Sequence, residues 1–356
     1  MDPIAAARRL LADAVETRVF PAATVDVGSS AGPLWQEALG TRTFDRSDAV
    51  SPATPFDLAS LTKAIAAASI AIDLVGQGRL SLDERVEDSI GEWRGRGRET
   101  VTIRDLLEHA SGLPARLLDA PPQGRREFEH EICAIPLEYA PGSKSVYSDL
   151  DFILLGFLLA DRAGAGLDAC FDRLAASLGK VEPDSMAIRF NLPPHERAAA
   201  APTRPLPDDL RRGRLLVGEV HDNYAAALGG VAGHSGLFGS AIAVGAFARA
   251  VLRAARGDDR VPRPWSPPLV ALATTRTAVP GSSRALGWDR MLPTSSCGTR
   301  MSSSAFGHPG FTGTSLWIDP ARDRYFVLLT NRVCDGGTQE QMREVRRAFH
   351  DALADL

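Results

Sequence analysis

Cysteine is scarce and scattered: the 356 residues contain only Cys133, Cys170, Cys297 and Cys334, with no C-x-x-C pair. That spacing excludes a disulfide framework and a structural zinc site, and reads as free thiols of a reducing compartment. Lysine is scarcer still, with Lys63, Lys144 and Lys180 standing among 40 Lys and Arg side chains. Arginine serves solubility as well as lysine but does not give up its proton. A lysine kept in such a chain is therefore a candidate for chemistry that needs a deprotonatable amine. Charge of one sign is also lacking. The formal net charge is -4, so there is no basic footprint for nucleic acid. No apolar run approaches the roughly 18 residues of a membrane span; the longest, Phe152 to Ala160, is about half of that. The N-terminal stretch carries Asp2 and Arg8-Arg9 where a secretory leader would be apolar, which predicts a cytoplasmic protein. There is no internal repeat, no G-x-G-x-x-G after a strand and no G-x-x-x-x-G-K-[ST], which disfavours nucleotide folds.

What is present is an ordinary globular composition, 44% hydrophobic and 24% charged, with strands at both ends and helices between. An amphipathic helix opens the chain, with Ile4, Leu10, Leu11 and Val15 on one side. Segments 22–29 and 33–40 alternate like two strands of a hairpin. A long apolar helix is expected from Leu61 to Gly76, stopped by Gly78, and a short one over 101–109 with Thr102 as N-cap. Another apolar helix is expected over 149–163, and a further one over 242–256. Residues 193–214 and 257–268 read as loops. Strands are expected over 285–292, 303–307, 314–319 and 325–330, then a closing helix over 339–353. Terminal strands that pair into one sheet give an α+β layout, not an alternating one. The expected division is one catalytic unit, with an α/β lobe over about 1–62 and 236–356 and a helical lobe over about 63–235.

Three short segments carry chemistry. In Ser60-Leu-Thr-Lys63 the hydroxyl and the amine lie three apart at a helix start, on one face. Burial and the helix N-terminus both disfavour a protonated lysine, and a neutral amine activates a serine nucleophile. The plain alternative is a helix-capping serine. Ser177-Leu-Gly-Lys180 has the same spacing, but it is broken by Gly179 and reads as the end of a helix. Tyr147-Ser-Asp149 stands at the entrance of the second apolar helix. Tyr147 is either a general acid/base beside a lysine or a packing residue, and Asp149 alone would be an N-cap. In Gly307-His308-Pro309-Gly310-Phe311, glycines let a strand edge approach a ligand. His308 can hydrogen-bond substrate, and the N–H after Gly310 can be an oxyanion donor. By itself this is also a glycine-rich turn.

Taken together, in this order and with these flanks, Ser60-x-x-Lys63, Tyr147-x-Asp149 and His308-x-Gly310 resemble the three-motif signature of the class C β-lactamase and penicillin-binding serine hydrolase family. The flanks Phe56–Lys63, Gly78–Asp83, Val101–Pro114 and Gly229–Phe238 are similar as well, so the resemblance runs from about residue 20 to 350. It implies a β-lactamase/transpeptidase-like α+β fold: an antiparallel sheet flanked by terminal helices, a mostly helical lobe, and an active site in the cleft between. It implies an acyl-Ser60 intermediate, Lys63 and Tyr147 sharing the acid and base work, backbone N–H groups of Ser60 and Phe311 as oxyanion hole, and no metal or organic cofactor. Asp149, His308, Gly310 and His234 are the expected substrate-binding residues.

Two departures narrow the substrate. Asp149 stands where the family usually has asparagine, and it is expected to pair with Lys63 and keep it charged, leaving Tyr147 as the main base. His308 stands where lactam-binding members carry lysine, a weaker anchor for a carboxylate. Both resemble esterase-type branches. The expected activity is hydrolysis of a small ester or amide, with no nucleic-acid or membrane partner. The alternatives are a β-lactamase, D-Ala carboxypeptidase or D-aminopeptidase, a transacylase, and a non-catalytic ligand-binding protein. His221-Asp222 lacks a third metal ligand; His109, His130, His195 and His350 read as surface or helix residues. Arg211 to Arg214 reads as a solvated basic run, and Trp288 and Trp317 as core, with Trp288 also a candidate for the pocket edge.

Overall fold

The computed structural model describes residues 2–45, 48–95, 97–118, 120–207 and 209–356. Helix α1 (Pro3–Glu16) leads into β1 (Ala22–Ser29) and β2 (Gly32–Gly40). β1 pairs antiparallel with both β2 and a strand from the far end of the chain, matching Val25 to Leu328 and Val27 to Phe326. The terminal strands thus share one sheet, as expected. Its order is β2-β1-β9-β8-β7-β6, with β6 (Asp289–Arg290), β7 (Phe306–Pro309), β8 (Ser315–Asp319) and β9 (Arg324–Thr330).

Both faces of the central strands are covered, so their alternation sorts residues between two cores instead of core and solvent. Ala23, Val25 and Val27 of β1 face α1 and the closing helix with Trp317, Phe326 and Leu328. Leu316, Ile318, Tyr325, Val327 and Leu329 face the other way, onto the helix over 241–255.

Between the terminal strands lie a two-residue β3 (Phe56–Asp57), a π-helical turn (Lys63–Ala68) continuing as α2 (Ser69–Gly76), then α3 (Ile103–Leu107), α4 (Arg125–Ala134), α5 (Asp149–Ala163) and α6 (Leu167–Leu178). After β4 (Arg189–Phe190) come the short α7 (Pro194–Arg197) and α8 (Asn223–Ala227), β5 (Leu237–Gly239), α9 (Ala241–Ala255), α10 (Pro267–Thr274) and, last, α11 (Gln339–Ala352). Strands β3, β5 and β4 make a second, three-stranded sheet that periodicity did not reveal, because two- and three-residue strands carry no alternation. Thr102 caps α3 in a reciprocal box with Asp105, as expected.

Four expectations need correction. The strand expected over 285–292 shrinks to Asp289–Arg290. Gly287 has φ +76°, and its N–H donates to the Leu107 carbonyl, so the chain turns inward there instead of extending. The strand expected over 303–307 is displaced to Phe306–Pro309. The expected loop 257–268 ends in a helix: Pro267 occupies the first turn of α10, where its missing N–H costs nothing. Asp149 does not cap α5; Ser148 does, its hydroxyl accepting from the Asp151 N–H and donating to the Pro114 carbonyl.

His350, read as a surface or helix residue, lies in α11 and is buried among Phe326 and Phe349, with Nε2 beside the Ser315 hydroxyl. Burial, then the charge of Arg346, pulls its pKa down to about 3. The folded state therefore holds it neutral, and stability is lost as pH falls below the unfolded value near 6.5. Replacing His350 with glutamine is expected to flatten the loss of unfolding free energy between pH 7 and 5 by about 2 kcal/mol relative to the parent chain. Urea denaturation at the two pH values measures it.

Among the described residues no helix is long and apolar enough to cross a membrane.

Candidate active site

Ser60 is presented by a strained turn. Ala59, the residue before it, sits at φ +48°, a left-handed conformation costing a non-glycine residue of order 1 kcal/mol. Asp57 holds it there: one carboxylate oxygen accepts from the Ala59 N–H at 2.8 Å, the other from the His221 N–H at 2.6 Å. Burial pushes this carboxyl up to about 6. The strand edge carrying Gly310 is bolted to the same turn. The Thr312 hydroxyl donates to the Asp57 carbonyl at 2.8 Å and the Thr314 hydroxyl to the Leu58 carbonyl at 3.0 Å. A Cβ at Gly310 would sit 2.8 Å from the Leu58 oxygen and closer still to Thr314, so only glycine allows this approach.

The π-helical turn opens with Lys63, which is fully buried. Its Nζ lies 3.1 Å from Ser60 Oγ, 2.7 Å from Tyr147 Oη, 2.8 Å from Asp149 Oδ1 and 3.2 Å from the His234 carbonyl. Tyr147 Oη is also 2.7 Å from Ser60 Oγ. Three residues from two distant segments thus close a triangle of hydrogen bonds. Burial pulls Lys63 toward neutrality, but the Asp149 carboxylate and Tyr147 outweigh it, and its pKa ends above the ordinary value. The neutral lysine expected from burial alone is therefore overturned in favour of the charged pair expected from Asp149. Burial also works against the Asp149 carboxylate, yet Lys63, His234 and Arg116 together hold it below the usual range.

Tyr147, Asp149, His234, His308, Gly310 and Phe311 all line one cleft with Ser60, enclosing about 720 Å³. His308 is buried, and its Nδ1 donates to the Pro309 carbonyl at 2.7 Å. Burial, then the charges of Arg284 and Lys63, holds it neutral with its pKa well below the usual value. Its Nε2 lone pair has no partner among the described residues. A neutral ring with a free Nε2 can accept a hydrogen bond from a donor in the cleft. His234 reaches Asp222 Oδ1 through Nε2 at 2.7 Å. Among the described residues no group accepts from the N–H of Ser60 or of Phe311. Phe311 is half-exposed and stacks on His221.

Sequence reasoning missed several cleft residues. Arg116 bridges the two carboxylates, its Nη1 standing 3.0 Å from both Asp149 Oδ2 and Asp222 Oδ2, while Nη2 donates to Asn223 at 2.8 Å. Arg284 lies 5.1 Å from the Tyr147 ring centre, its guanidinium without an acceptor among the described residues. Arg332 and Arg346 approach from beneath the 310–314 turn. His109, read as a surface or helix residue, follows the end of α3 and is buried behind Tyr147, ring centres 4.7 Å apart, with Nδ1 accepting from the Ser148 N–H. The basic run is not wholly solvated, since Arg211 pairs with Asp209 and donates to the Val220 and His221 carbonyls. Trp288 packs against Phe247 and Phe306 in the core and does not edge the cleft. The second Ser-x-x-Lys does end a helix, with Gly179 as C-cap.

The sequence profile of the Beta-lactamase family matches residues 7–350. The chain belongs to the beta-lactamase family. An Escherichia coli (strain K12) protein named "Putative D-alanyl-D-alanine carboxypeptidase" is 30% identical to this family member over 309 residues, 78% of this chain and 69% of its own length. A Bacillus subtilis (strain 168) protein named N-acetylmuramyl-L-alanine amidase is 30% identical over 317 residues, 82% of this chain and 71% of its own. Among solved structures, EstCE1, described as a hydrolase with promiscuous acyltransferase activity, matches with a TM-score of 0.77 at 20% identity, covering 99% of this chain and 98% of its own. Simvastatin synthase (LovD) from Aspergillus terreus matches at 0.74 and 19% identity, covering 99% and 98%. These structural matches establish the β-lactamase/transpeptidase-like fold. The resemblance carried by the three motifs is thus borne out, and the chain is a member of a serine hydrolase family.

Proposed function

We propose that the chain hydrolyses a small ester or amide through an acyl group carried on Ser60. The unit would be single, its cleft lying between the α/β part (1–62 and 236–356) and the helical part (63–235). The observation that carries the reading is the closed triangle of Ser60 Oγ, Lys63 Nζ and Tyr147 Oη, at 3.1, 2.7 and 2.7 Å. In its phenolate form Tyr147 accepts the Ser60 proton as Oγ attacks the substrate carbonyl carbon. Lys63, held charged by Asp149, offsets the negative charge moving through the triangle. The N–H groups of Ser60 and Phe311 receive the oxyanion. Tyr147 then returns the proton to the leaving group, and the same residues activate the water that releases the acyl group. His308 Nε2 and the exposed face of Phe311 hold the rest of the substrate.

The test is hydrolysis of p-nitrophenyl butyrate by the parent chain and Ser60→Ala in parallel. Turnover by the parent and a fall of roughly 10⁴-fold or more in the variant are expected. Equal turnover by both would remove Ser60 from the reaction.

A second reading, release of D-alanine from a peptide terminus, is favoured by the Arg284 guanidinium in the cleft, which has no acceptor among the described residues, and by the name of the E. coli relative. D-Alanine release from a D-Ala-D-Ala peptide, together with nitrocefin turnover, would select it over the ester.

A further inference from the structure

Arg346 is a surprising residue for its position. In α11 it falls on the apolar stripe with Met342, Phe349 and Leu353, at intervals of four, three and four, where a helix normally places hydrophobic side chains. Its side chain is buried, and no carboxylate lies within ion-pair distance of it among the described residues. Among the described residues its Nε has no acceptor. Burial, then the charge of Arg332, pulls its pKa down to about 9. A buried guanidinium without a counterion is costly to keep. Something in its contacts must account for the expense.

Those contacts are two carbonyls. Nη2 donates to the oxygen of Gly310 and, at 2.8 Å, to that of Thr314. The Gly310 oxygen also accepts from the Gly313 N–H at 3.1 Å, closing a tight turn. The carbonyl of Gly310 belongs to the same peptide group as the N–H of Phe311. A trans peptide sets its N–H opposite its C=O, so fastening that oxygen toward α11 turns the Phe311 N–H away from α11. Both Gly310 and Phe311 line the cleft beside Ser60, and that N–H has no acceptor among the described residues. A cationic donor on an amide oxygen also draws electron density through the amide toward oxygen, which makes the N–H a stronger donor.

We propose that Arg346 is a positioning residue that aims and polarises the Gly310–Phe311 peptide group, strengthening the Phe311 N–H as a donor to the oxyanion of the reaction. The inference rests on the acyl-Ser60 reading above. Arg332 assists from the next peptide along, donating to the Phe311 carbonyl at 2.7 Å, but it touches the wrong carbonyl to polarise the Phe311 N–H.

The effect belongs to the transition state, because the oxyanion bears full charge only there. A staple that merely held the turn would change substrate binding as well. The experiment measures kcat and KM for p-nitrophenyl butyrate, inhibition by butaneboronic acid, and melting temperature, for the parent, Arg346→Met and Arg346→Lys. The boronate adduct of Ser60 is tetrahedral and anionic, and reports the oxyanion site directly. Losing a whole oxyanion donor costs about 10² to 10³ in kcat, and losing its polarisation a part of that, so Arg346→Met is expected to lower kcat about 10-fold. It should weaken boronate inhibition by about the same factor and leave KM within about twofold. Arg346→Lys, which restores the charge, should recover part of both losses. If Arg346→Met does not fold, Arg346→Gln, which keeps a donor without the charge, is expected to show the same paired losses. Loss confined to KM, or boronate inhibition unchanged while kcat falls, overturns the proposal. Failure of butaneboronic acid to inhibit the parent chain, or full activity in Ser60→Ala, overturns the acyl-Ser60 reading instead.

Discussion

Lys63→Met is expected to cut kcat/KM by roughly 10³-fold and to destabilise the fold by about 3 kcal/mol. The two effects share one cause. Among the described residues Nζ is the only cation within hydrogen-bond reach of both Ser60 and Tyr147, and it also neutralises a buried carboxylate at 2.8 Å. Removing it leaves the proton exchange between serine and tyrosine without an electrostatic partner. It also leaves Asp149 buried with only part of its compensation, since Arg116 still holds the second oxygen at 3.0 Å. That residual contact is why the stability loss falls at the low end of the range for breaking a buried ion pair. Steady-state kinetics and urea denaturation at pH 7 measure both quantities. A variant that keeps its activity would place the acid and base work elsewhere.

Asp149→Asn is expected to produce the second large change, and it separates charge from shape. In the parent chain burial opposes a charged Lys63, and the Asp149 charge reverses that balance. With asparagine the reversal is lost. The Lys63 pKa should then fall, and kcat/KM should show a new ionisation, rising as the neutral amine becomes able to take the Ser60 proton. Stability should fall by about 2 kcal/mol at pH 7, the scale of a hydrogen bond to a charged group. The sign of its pH dependence follows from linkage. Lys63 has a folded pKa raised above its unfolded value near 10.5, so its contribution is complete below that value and lost as pH rises through the folded one. Asp149 has a folded pKa lowered from 3.8, so its contribution is complete above that value and lost as pH falls through the folded one. The difference between parent and variant should therefore be flat from about pH 4 to pH 10 and shrink on either side. A pH–rate profile with no new ionisation would mean that Asp149 does not set the charge of Lys63.

Asp149 was legible in the sequence because order and flanking residues identify it, and its pairing with Lys63 follows from charge alone. The same holds for Ser60, Lys63 and Tyr147, whose separations of 84 to 87 residues between serine or lysine and tyrosine close into bonds of 2.7 Å. Strands β1 and β9 and helices α5 and α9 were legible from periodicity, because each carries enough apolar residues to show its repeat. Arg116 was not. Its partners Asp222 and Asn223 lie 106 and 107 residues away, and nothing local marks a loop arginine as a bridge between carboxylates. The burial of His109 was not legible, because only the fold sets its ring against Tyr147 and Phe152. Its burial comes from a left-handed turn at φ +57° that swings the ring under Tyr147. Arg346 had a signal that could have found it: an arginine in phase with Met342 and Phe349 on an amphipathic helix is a charge at a core position. The π-helical turn at Lys63 has no such signal, since one apolar run serves an α- and a π-helix equally.

The central claim is that Ser60 carries the acyl group. The most direct measurement is intact-mass analysis of the parent chain, Ser60→Ala and Lys63→Met after treatment with a fluorophosphonate, with the adduct mapped by peptide fragmentation. The account predicts a single adduct on Ser60 in the parent, none in Ser60→Ala and markedly slower labelling in Lys63→Met. An adduct on another serine, or equal labelling of the parent and Ser60→Ala, would contradict it.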